Sequence, residues 1–402
     1  MVSTRREKII SPNGPGSPPR PCTARLAGPP RALDFQRDRK ARDVTPGEVT
    51  ADRDGSCDPA FDEARLTPSA PVAAPEAAET VRACFGLSGE LDRLPGEADD
   101  NFLLQASDEK RYVVKFAHLR ADPRVVSVQV RVLRHIEAVA PGLPVPRVVP
   151  AVDGQPWAVV ADGPLRGRTV HVVSYLEGQL LRSVKTNRTL RRTLGSTLAR
   201  LGWALREFDD PLVRRPLLWD LAQLPQLRPL LAGLPENQET SLLEDQLSRL
   251  TTEVTPRLAP QRIQLVHNDF SPDNALISAD QSRVCGIIDF GDVTVTALVN
   301  DVAIAAAYQL GDGRDLLGPA LDLISGYHAT TPLTAAELDL LPDLILARVV
   351  ARIIISEWRA ERFPENRAYI LRNTPGAREH LNRLLSIPAE QTAARIQEAT
   401  RA

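Results

Sequence analysis

Two short apolar runs in the second half of the chain each end in a cluster of polar side chains. Ile263–Val266 leads into His267-Asn268-Asp269, and Val284–Ile288 leads into Asp289-Phe290-Gly291-Asp292. Short apolar runs bounded by polar residues are typical of buried strands. The pattern therefore predicts a fold in which two strands, and the carboxylates that follow them, end at one edge of a lobe.

The residue types in these clusters are those that magnesium-dependent phosphoryl transfer requires. Asn274 and Asp289 supply hard oxygen ligands for Mg²⁺, which keeps the rest of its coordination shell for water and substrate phosphates. Asp269, five residues before Asn274 in the same loop, is then free to orient or deprotonate an attacking hydroxyl group. We expect His267 to orient the loop through hydrogen bonds to the Asp289 segment.

The chain as a whole predicts an α+β fold of two lobes. Residues 1–75 hold twelve of the 34 prolines and predict a disordered Pro/Arg-rich tail. Residues 76–176 carry three strand-like runs and a helix, which predict an N-terminal lobe with a small antiparallel, nucleotide-binding sheet. Residues 177–402 predict a larger, mostly helical C-terminal lobe that carries the catalytic and metal loops. Its longest predicted helix, Thr334–Arg362, is expected to break at Pro342.

Charge and cysteine content narrow the classes of partner. The 402 residues carry 49 basic and 51 acidic side chains, a formal net charge of −2. No overall basic field is present to hold nucleic acid or an anionic membrane, so neither is an expected partner. The longest apolar run, Leu344–Trp358, is interrupted by Arg348 and Arg352 and predicts a buried helix, not a membrane span. The four dispersed cysteines predict neither a zinc site nor a disulfide framework, and we expect a cytoplasmic protein.

The polar clusters resemble the catalytic motif of the aminoglycoside phosphotransferase family of protein-kinase-like small-molecule kinases. In that family His-Gly-Asp-x-x-x-x-Asn, followed by an Ile-Asp-Phe or Ile-Asp-Trp strand end, supplies the catalytic Asp and two magnesium ligands. The matching residues are His267, Asp269, Asn274 and Asp289. The resemblance covers most of Ala78–Leu385 and is strongest to the hydroxylysine kinase subgroup. It implies a protein-kinase-like two-lobed fold.

The resemblance also implies where a nucleotide binds. Lys115 on the third strand matches the lysine that pairs with the α and β phosphates. The connector Ser174-Tyr175-Leu176 is expected to bond the edge of the base through its backbone. No side chain of this connector distinguishes adenine from guanine, so the implied donor is ATP or GTP, with Mg²⁺ as the metal.

Two positions depart from the family pattern. Gln129 stands on the helix where many relatives carry the Glu that holds the lysine, so we expect a hydrogen bond or the nucleotide itself to steer Lys115. Asn268 replaces the Gly of the motif, which is tolerated if the position needs a positive φ, because Asn is the next most permissive residue. These departures keep open a nucleotide-binding pseudokinase, although the catalytic and metal-binding residues are intact.

The implied substrate is a small molecule with a hydroxyl group, 5-hydroxylysine first among them. Asp292 and Asp301 add negative charge beyond what Mg²⁺ needs and favour a cationic acceptor such as an amino acid or an amino sugar. Asp301 is also suited to be the N-cap of the helix that follows it. Trp219 and Trp358 are candidate pocket residues, although such residues more often belong to the core. An aminoglycoside (antibiotic) phosphotransferase is the alternative enzyme.

Overall fold

The structure is a computed structural model and describes residues 70–96 and 99–401. The predicted tail over residues 1–75 lies outside the described residues except for 70–75. Within that stretch Val72 is fully buried and helix α1 (Ala74–Phe85) has begun. The N-terminal lobe therefore starts before the predicted residue 76. α1 ends at Gly86, whose φ of 66° forms the left-handed C-cap that glycine favours.

The N-terminal lobe is built on an antiparallel sheet of β1 (Gly89–Leu94), β2 (Asp100–Ala106), β3 (Arg111–Phe116), β4 (Val148–Val149), β5 (Ala158–Val159) and β6 (Thr169–Ser174). The strand order is β1-β2-β3-β6-β4, and β5 also pairs with β6. The first three strands match the sequence prediction closely. In β2 and β3 alternate residues are buried, and a turn separates these two strands.

The two faces of this sheet pack against different partners. Phe102 of β2 and Phe116 of β3 meet edge to face, with ring centres 6.0 Å apart, and belong to a core shared with α1. On the other face, Val173 of β6 joins the large core of the helical lobe, as do buried residues of α2 (Pro123–Val139). The face that carries Lys115 is therefore directed toward the helical lobe.

The C-terminal lobe is mostly helical. Its helices are α3 (Arg188–Leu205), α4 (Arg228–Ala232), α5 (Gln238–Arg249), α6 (Thr255–Leu258), α7 (Leu298–Ala307), α8 (Gly318–Thr330), α9 (Ala335–Arg362), α10 (Arg367–Ile370), α11 (Thr374–Leu385) and α12 (Ala389–Arg401). The sequence analysis did not predict α12. In the described part of the chain, no helix has the length and apolarity needed to cross a membrane.

The predicted break of α9 at Pro342 is wrong, since the helix runs through this residue without interruption. Proline removes one backbone hydrogen bond from a helix interior and normally kinks it. Here the neighbouring Leu340, Leu341, Leu344 and Ile345 are all buried. We attribute the continuity of α9 to this packing, which outweighs the local cost of the proline.

Short strands form the base of the candidate site. β8 (Ile263–Val266) pairs with β11 (Thr294–Ala297), whereas β10 (Val284–Ile287) pairs with β9 (Ala275–Ile277), which also pairs with β7 (Gln179–Leu180). The two strands that lead into the polar clusters, β8 and β10, thus belong to different small sheets. Contacts between the loops that follow them bring their ends together.

Candidate active site

The loop after β8 fixes the predicted catalytic aspartate from several sides. Asn274 Nδ2 donates to Asp269 Oδ2 at 2.7 Å and to the main-chain oxygen of Asp269 at 3.0 Å. Arg348 Nη2 lies 3.2 Å from Asp269 Oδ1, and the Tyr308 hydroxyl lies 3.5 Å from the same atom. The Asp269 side chain remains 25% exposed. Its carboxylate is therefore held in one orientation and is still open to a substrate.

His267 joins the two polar clusters. The backbone N–H of Asp269 donates to His267 Nδ1 at 3.3 Å, which leaves Nε2 as the nitrogen that donates to the Ile288 carbonyl at 3.2 Å. The Ile288 N–H donates in turn to the Asn274 carbonyl at 2.9 Å. The imidazole thus bonds the segment that leads into Asp289, and these contacts hold the ends of β8 and β10 together.

Asn268 and Asp301 support this loop from behind. Asn268 has a φ of 64°, the left-handed conformation considered for it from the sequence. Its backbone N–H donates to Asp301 Oδ1 at 2.8 Å, and that of His267 donates to Oδ2 at 3.4 Å. Asp301 is only 3% exposed, and burial raises the pKa of its carboxyl group.

The interpretation of Asp301 as a helix N-cap is wrong, because α7 begins at Leu298 and its N-cap is Ala297. Asp301 lies inside the first turn and accepts hydrogen bonds from the catalytic loop. Its carboxylate is buried behind that loop. The structure therefore does not place it where a substrate amine would meet it, and the charge argument for a cationic acceptor loses one of its two carboxylates.

Asp289 lies just after β10 with a φ of 63°, an uncommon conformation for a residue other than glycine. Its side chain is 54% exposed, and Oδ1 lies 3.7 Å from Lys115 Nζ. Gln129, half-buried on α2, makes no hydrogen bond to Lys115 within residues 70–96 and 99–401. Asp289 and not Gln129 is therefore the partner of Lys115.

His171 is a site residue that the sequence analysis missed. It lies directly opposite Lys115 in the β3–β6 ladder and is buried. Burial, aided by the positive charge of Lys115, lowers the pKa of His171 to about 3. The imidazole is therefore neutral near pH 7 and adds no second positive charge beside Lys115. Residues Thr169 to Val173 of β6 are all buried, so a single histidine in this strand gave no signal that separates a site residue from a core residue.

The connector after β6 has one open backbone donor. The N–H of Ser174 donates to the Arg147 carbonyl at 2.8 Å, and that of Tyr175 donates to the Arg111 carbonyl at 3.0 Å. Among the described residues, the Leu176 N–H makes no hydrogen bond. For the predicted hydrogen bonds between this connector and a nucleotide base, the Leu176 N–H is therefore the candidate donor.

Arg348 of α9 contacts Asp269, and the sequence analysis did not assign it a role. Its side chain is 1% exposed, donates to the Trp219 carbonyl at 2.9 Å and lies 5.0 Å from the centre of the Trp219 ring. Burial opposes its charge, but Tyr308, Asp269 and Asp292 outweigh that cost and raise the pKa of Arg348. The signal in the sequence was an arginine that interrupts the apolar run of α9.

The remaining substrate candidates divide between the surroundings of Arg348 and the core. Trp219 contacts Arg348 through its carbonyl and its ring. Asp292 is half-buried and close enough to Arg348 for its charge to act there. Trp358 packs against the helical core, with Arg362 5.8 Å from its ring centre.

The donor set suits a hard divalent cation held partly by a nucleotide. No hydrogen bond from a described residue occupies Asn274 Oδ1, because the amide directs its N–H toward Asp269. The exposed carboxylate of Asp289 provides further oxygen ligands. No group of three His, Cys, Asp or Glu side chains in the described chain forms a metal cluster. A site of two protein ligands, completed by phosphate and water, matches the preference of Mg²⁺.

A model of the phosphotransferase enzyme family matches residues 90–338, more than half of the chain. The chain belongs to the phosphotransferase enzyme family. Family membership confirms the predicted resemblance and the prediction of a phosphotransferase.

Known relatives of this phosphotransferase span most of its length. Hydroxylysine kinase of Mus musculus is 23% identical over 336 residues, covering 78% of this chain and 89% of the relative. Homoserine kinase of Paramagnetospirillum magneticum is 30% identical over 290 residues, covering 70% of this chain and 80% of the relative.

Solved structures share the fold of the phosphotransferase. A complex of amicoumacin kinase with AMP-PNP and Ca²⁺ superposes with a TM-score of 0.62 at 16% identity, covering 82% of this chain and 98% of the other. A microcompartment-associated aminopropanol kinase also gives a TM-score of 0.62, at 20% identity, covering 78% and 98%. The predicted two-lobed, protein-kinase-like α+β fold is confirmed.

Proposed function

We propose that this phosphotransferase transfers the γ-phosphate of a magnesium-bound nucleoside triphosphate to the hydroxyl group of a small amino acid. The observation that carries the proposal is the arrangement around Asp269. Its carboxylate is held by Asn274 and Arg348 and remains partly exposed. It lies in one loop with the metal ligand Asn274, where an acceptor hydroxyl would meet the terminal phosphate.

Each group in the site has one part in this reaction. Asp269 orients the acceptor hydroxyl and takes its proton as the oxygen attacks the γ-phosphorus. The bond from that phosphorus to the β–γ bridging oxygen breaks, and the nucleoside diphosphate leaves. Lys115 exchanges its contact with Asp289 for the α and β phosphates, and the Leu176 N–H bonds the base. Asn274 and Asp289 would hold Mg²⁺, which neutralises charge on the phosphates.

The proposed class of acceptor substrate rests on the named relatives and on the charged side chains near Asp269. Hydroxylysine kinase and homoserine kinase are named for amino acids that carry a hydroxyl group. The site presents the half-buried carboxylate of Asp292, which suits the amine of an amino acid acceptor. We propose 5-hydroxylysine first and homoserine second.

A coupled phosphotransfer assay tests this function directly. The purified chain is offered Mg²⁺ with ATP or GTP in parallel, and 5-hydroxylysine, homoserine, choline and a multi-amine aminoglycoside as separate acceptors. Turnover with hydroxylysine or homoserine supports the proposal. Turnover confined to the aminoglycoside would replace it with an antibiotic kinase, and nucleotide binding without transfer would contradict enzymatic function on this acceptor class.

Two variants assign the roles within the site. Asp269→Asn should lower kcat by about 10²–10⁴-fold, the usual contribution of a positioned general base, with little change in nucleotide affinity. Asp289→Asn should weaken magnesium-nucleotide binding itself. Asp280→Asn is the matched control, since Asp280 lies in an exposed turn and bonds Ser278 and Ser282. Full turnover in the Asp269 variant would exclude its role as the base.

A further inference from the structure

Two arginines of α9, Arg348 and Arg352, differ in their hydrogen-bond partners, and Arg352 has fewer. Arg348 and Arg352 are the charged residues within the apolar stretch Leu344–Ile355 and, four residues apart, they lie on one face of the helix. Arg348 contacts Asp269, the Tyr308 hydroxyl and the Trp219 carbonyl. Its charge is therefore compensated within the protein.

Arg352 lacks comparable direct contacts. Its guanidinium lies 4.7 Å from the centre of the Tyr308 ring, and within the described chain it forms no hydrogen bond or ion pair. Burial lowers the pKa of Arg352 and the nearby charge of Arg348 acts in the same direction, whereas Tyr308 and Asp269 oppose this shift. The Arg352 side chain is only partly buried, and stacking on an aromatic ring leaves its in-plane N–H donors without an acceptor among the described residues.

The surroundings of Arg352 connect it to the reaction centre. Tyr308 lies between the two, because its ring contacts Arg352 and its hydroxyl lies 3.5 Å from Asp269 Oδ1. His380 of α11 is close enough for Arg352 to contribute to lowering its pKa, after burial, and its Nε2 lies 3.2 Å from Asp312 Oδ1. The groups whose charge acts on Arg352 are Tyr308 and Asp269, which raise its pKa, and Arg348, which lowers it.

We infer that Arg352 is a specificity-determining residue that binds the carboxylate of the acceptor while Asp269 engages its hydroxyl. This inference rests on the proposed function and names the recognition element of the same site. A guanidinium presents its donors as a planar fork that fits both oxygens of a carboxylate. A small acceptor that carries both a hydroxyl group and a carboxylate would bridge Asp269 and Arg352.

Matched acceptor pairs isolate the contribution of the carboxylate. Homoserine is compared with 3-aminopropan-1-ol, and 5-hydroxylysine with 1,5-diaminopentan-2-ol, so that each pair differs only in the carboxylate. The wild-type enzyme should favour the carboxylate-bearing member of its preferred pair by about 10–100-fold in kcat/KM, the range expected for hydrogen bonds to a charged group.

Variants of Arg352 should remove this preference. In Arg352→Gln the ratio of kcat/KM between the two members of a pair should fall to within about 3-fold of unity, mainly through a higher KM for the acceptor with the carboxylate. Arg352→Lys should retain an intermediate ratio. Arg372→Gln is the matched control, because the exposed Arg372 also stacks on a tyrosine, Tyr369, at 3.8 Å. Thermal unfolding of each variant checks that it is folded, and Arg352→Lys serves if Arg352→Gln is not.

The outcomes separate this inference from the proposed function. Equal kcat/KM for both members of a pair in the wild type, or an unchanged ratio in Arg352→Gln, overturns the carboxylate role and leaves phosphotransfer intact. A rise confined to the nucleotide KM also overturns it, since Arg352 would then contact the donor. Absence of transfer to every acceptor overturns the proposed function and this inference with it.

Discussion

Asn268 and Asp289 both have left-handed backbone conformations, with φ values of 64° and 63°. Such conformations cost free energy for residues with a side chain and persist where the surrounding structure imposes them. Asn268 follows β8 and Asp289 follows β10, the two strands that lead into the candidate site. The turn at Asn268 directs the Asp269 side chain, and the turn at Asp289 directs its own side chain. The backbone geometry of these two residues is therefore part of how the site is assembled.

Substitution of Asn268 tests the requirement for a positive φ. Asn268→Gly should be as stable as the wild type or more so, because glycine adopts this φ freely and the buried Asn268 amide makes no hydrogen bond within the described chain. Asn268→Val should lower the free energy of unfolding by about 1–3 kcal/mol and reduce kcat. Urea unfolding and steady-state kinetics measure both. Equal stability of the two variants would show that the backbone at this position is not constrained.

At the scale of elements, two helices determine the geometry of the catalytic loop. α7 supplies Asp301, whose carboxylate accepts the backbone N–H groups of His267 and Asn268. α9 supplies Arg348, which contacts Asp269 from within the same helical lobe. Neither helix is adjacent to the loop in sequence. Their packing against each other in the helical core fixes both contacts at once.

Removal of the Asp301 carboxylate should loosen the loop without affecting the nucleotide side. Asp301→Ala leaves two buried N–H groups without an acceptor, which costs about 1–3 kcal/mol for each unsatisfied group. We expect a lower kcat and a lower free energy of unfolding, with the nucleotide KM within about 3-fold of the wild type. Asp301→Asn, which keeps one acceptor oxygen, should lose less. A kcat equal to that of the wild type in Asp301→Ala would exclude a positioning role for α7.

At the scale of the molecule, the segment before α1 is part of the N-terminal lobe. Val72 is buried in the core under the sheet, and Arg168 Nη2 donates to the Ala70 carbonyl at 2.7 Å. Arg168 also pairs with Asp100 at 2.7 Å. Residues 70–73 therefore connect α1 to β2 and to the loop before β6, although their composition resembles that of the proline-rich stretch before them.

A comparison of two shortened chains tests this contribution. The free energy of unfolding should be about 2–4 kcal/mol lower for a chain that begins at Ala74 than for one that begins at Ala70. The shorter chain loses the buried Val72 side chain and the carbonyl that Arg168 contacts. Chemical denaturation measures the difference, and Val72→Ala in the longer chain should reproduce part of it. Identical midpoints would mean that the segment packs without stabilising the lobe.

The sequence by itself determined the features that depend on neighbouring residues. The loop that contains Asp269 and Asn274, the strand that leads to Asp289, and the strands β1–β3 all follow from local patterns of burial, turn residues and motif spacing. The backbone of Asn268 could also be anticipated, since the choice between Gly and Asn reflects its own φ. Each of these depends on a stretch of a few residues.

Only the tertiary structure decided which distant groups meet at the site. Arg348 lies on α9 and Tyr308 is the C-cap of α7, both remote from Asp269 in sequence. The Asp301 carboxylate turns toward the backbone of the loop that contains Asp269. The pairing of Lys115 with Asp289 instead of Gln129 likewise depends on how the lobes are packed. Periodicity identifies which face of a helix is buried, but not which element packs against that face. Contacts between remote elements therefore remain undetermined until the whole chain is folded.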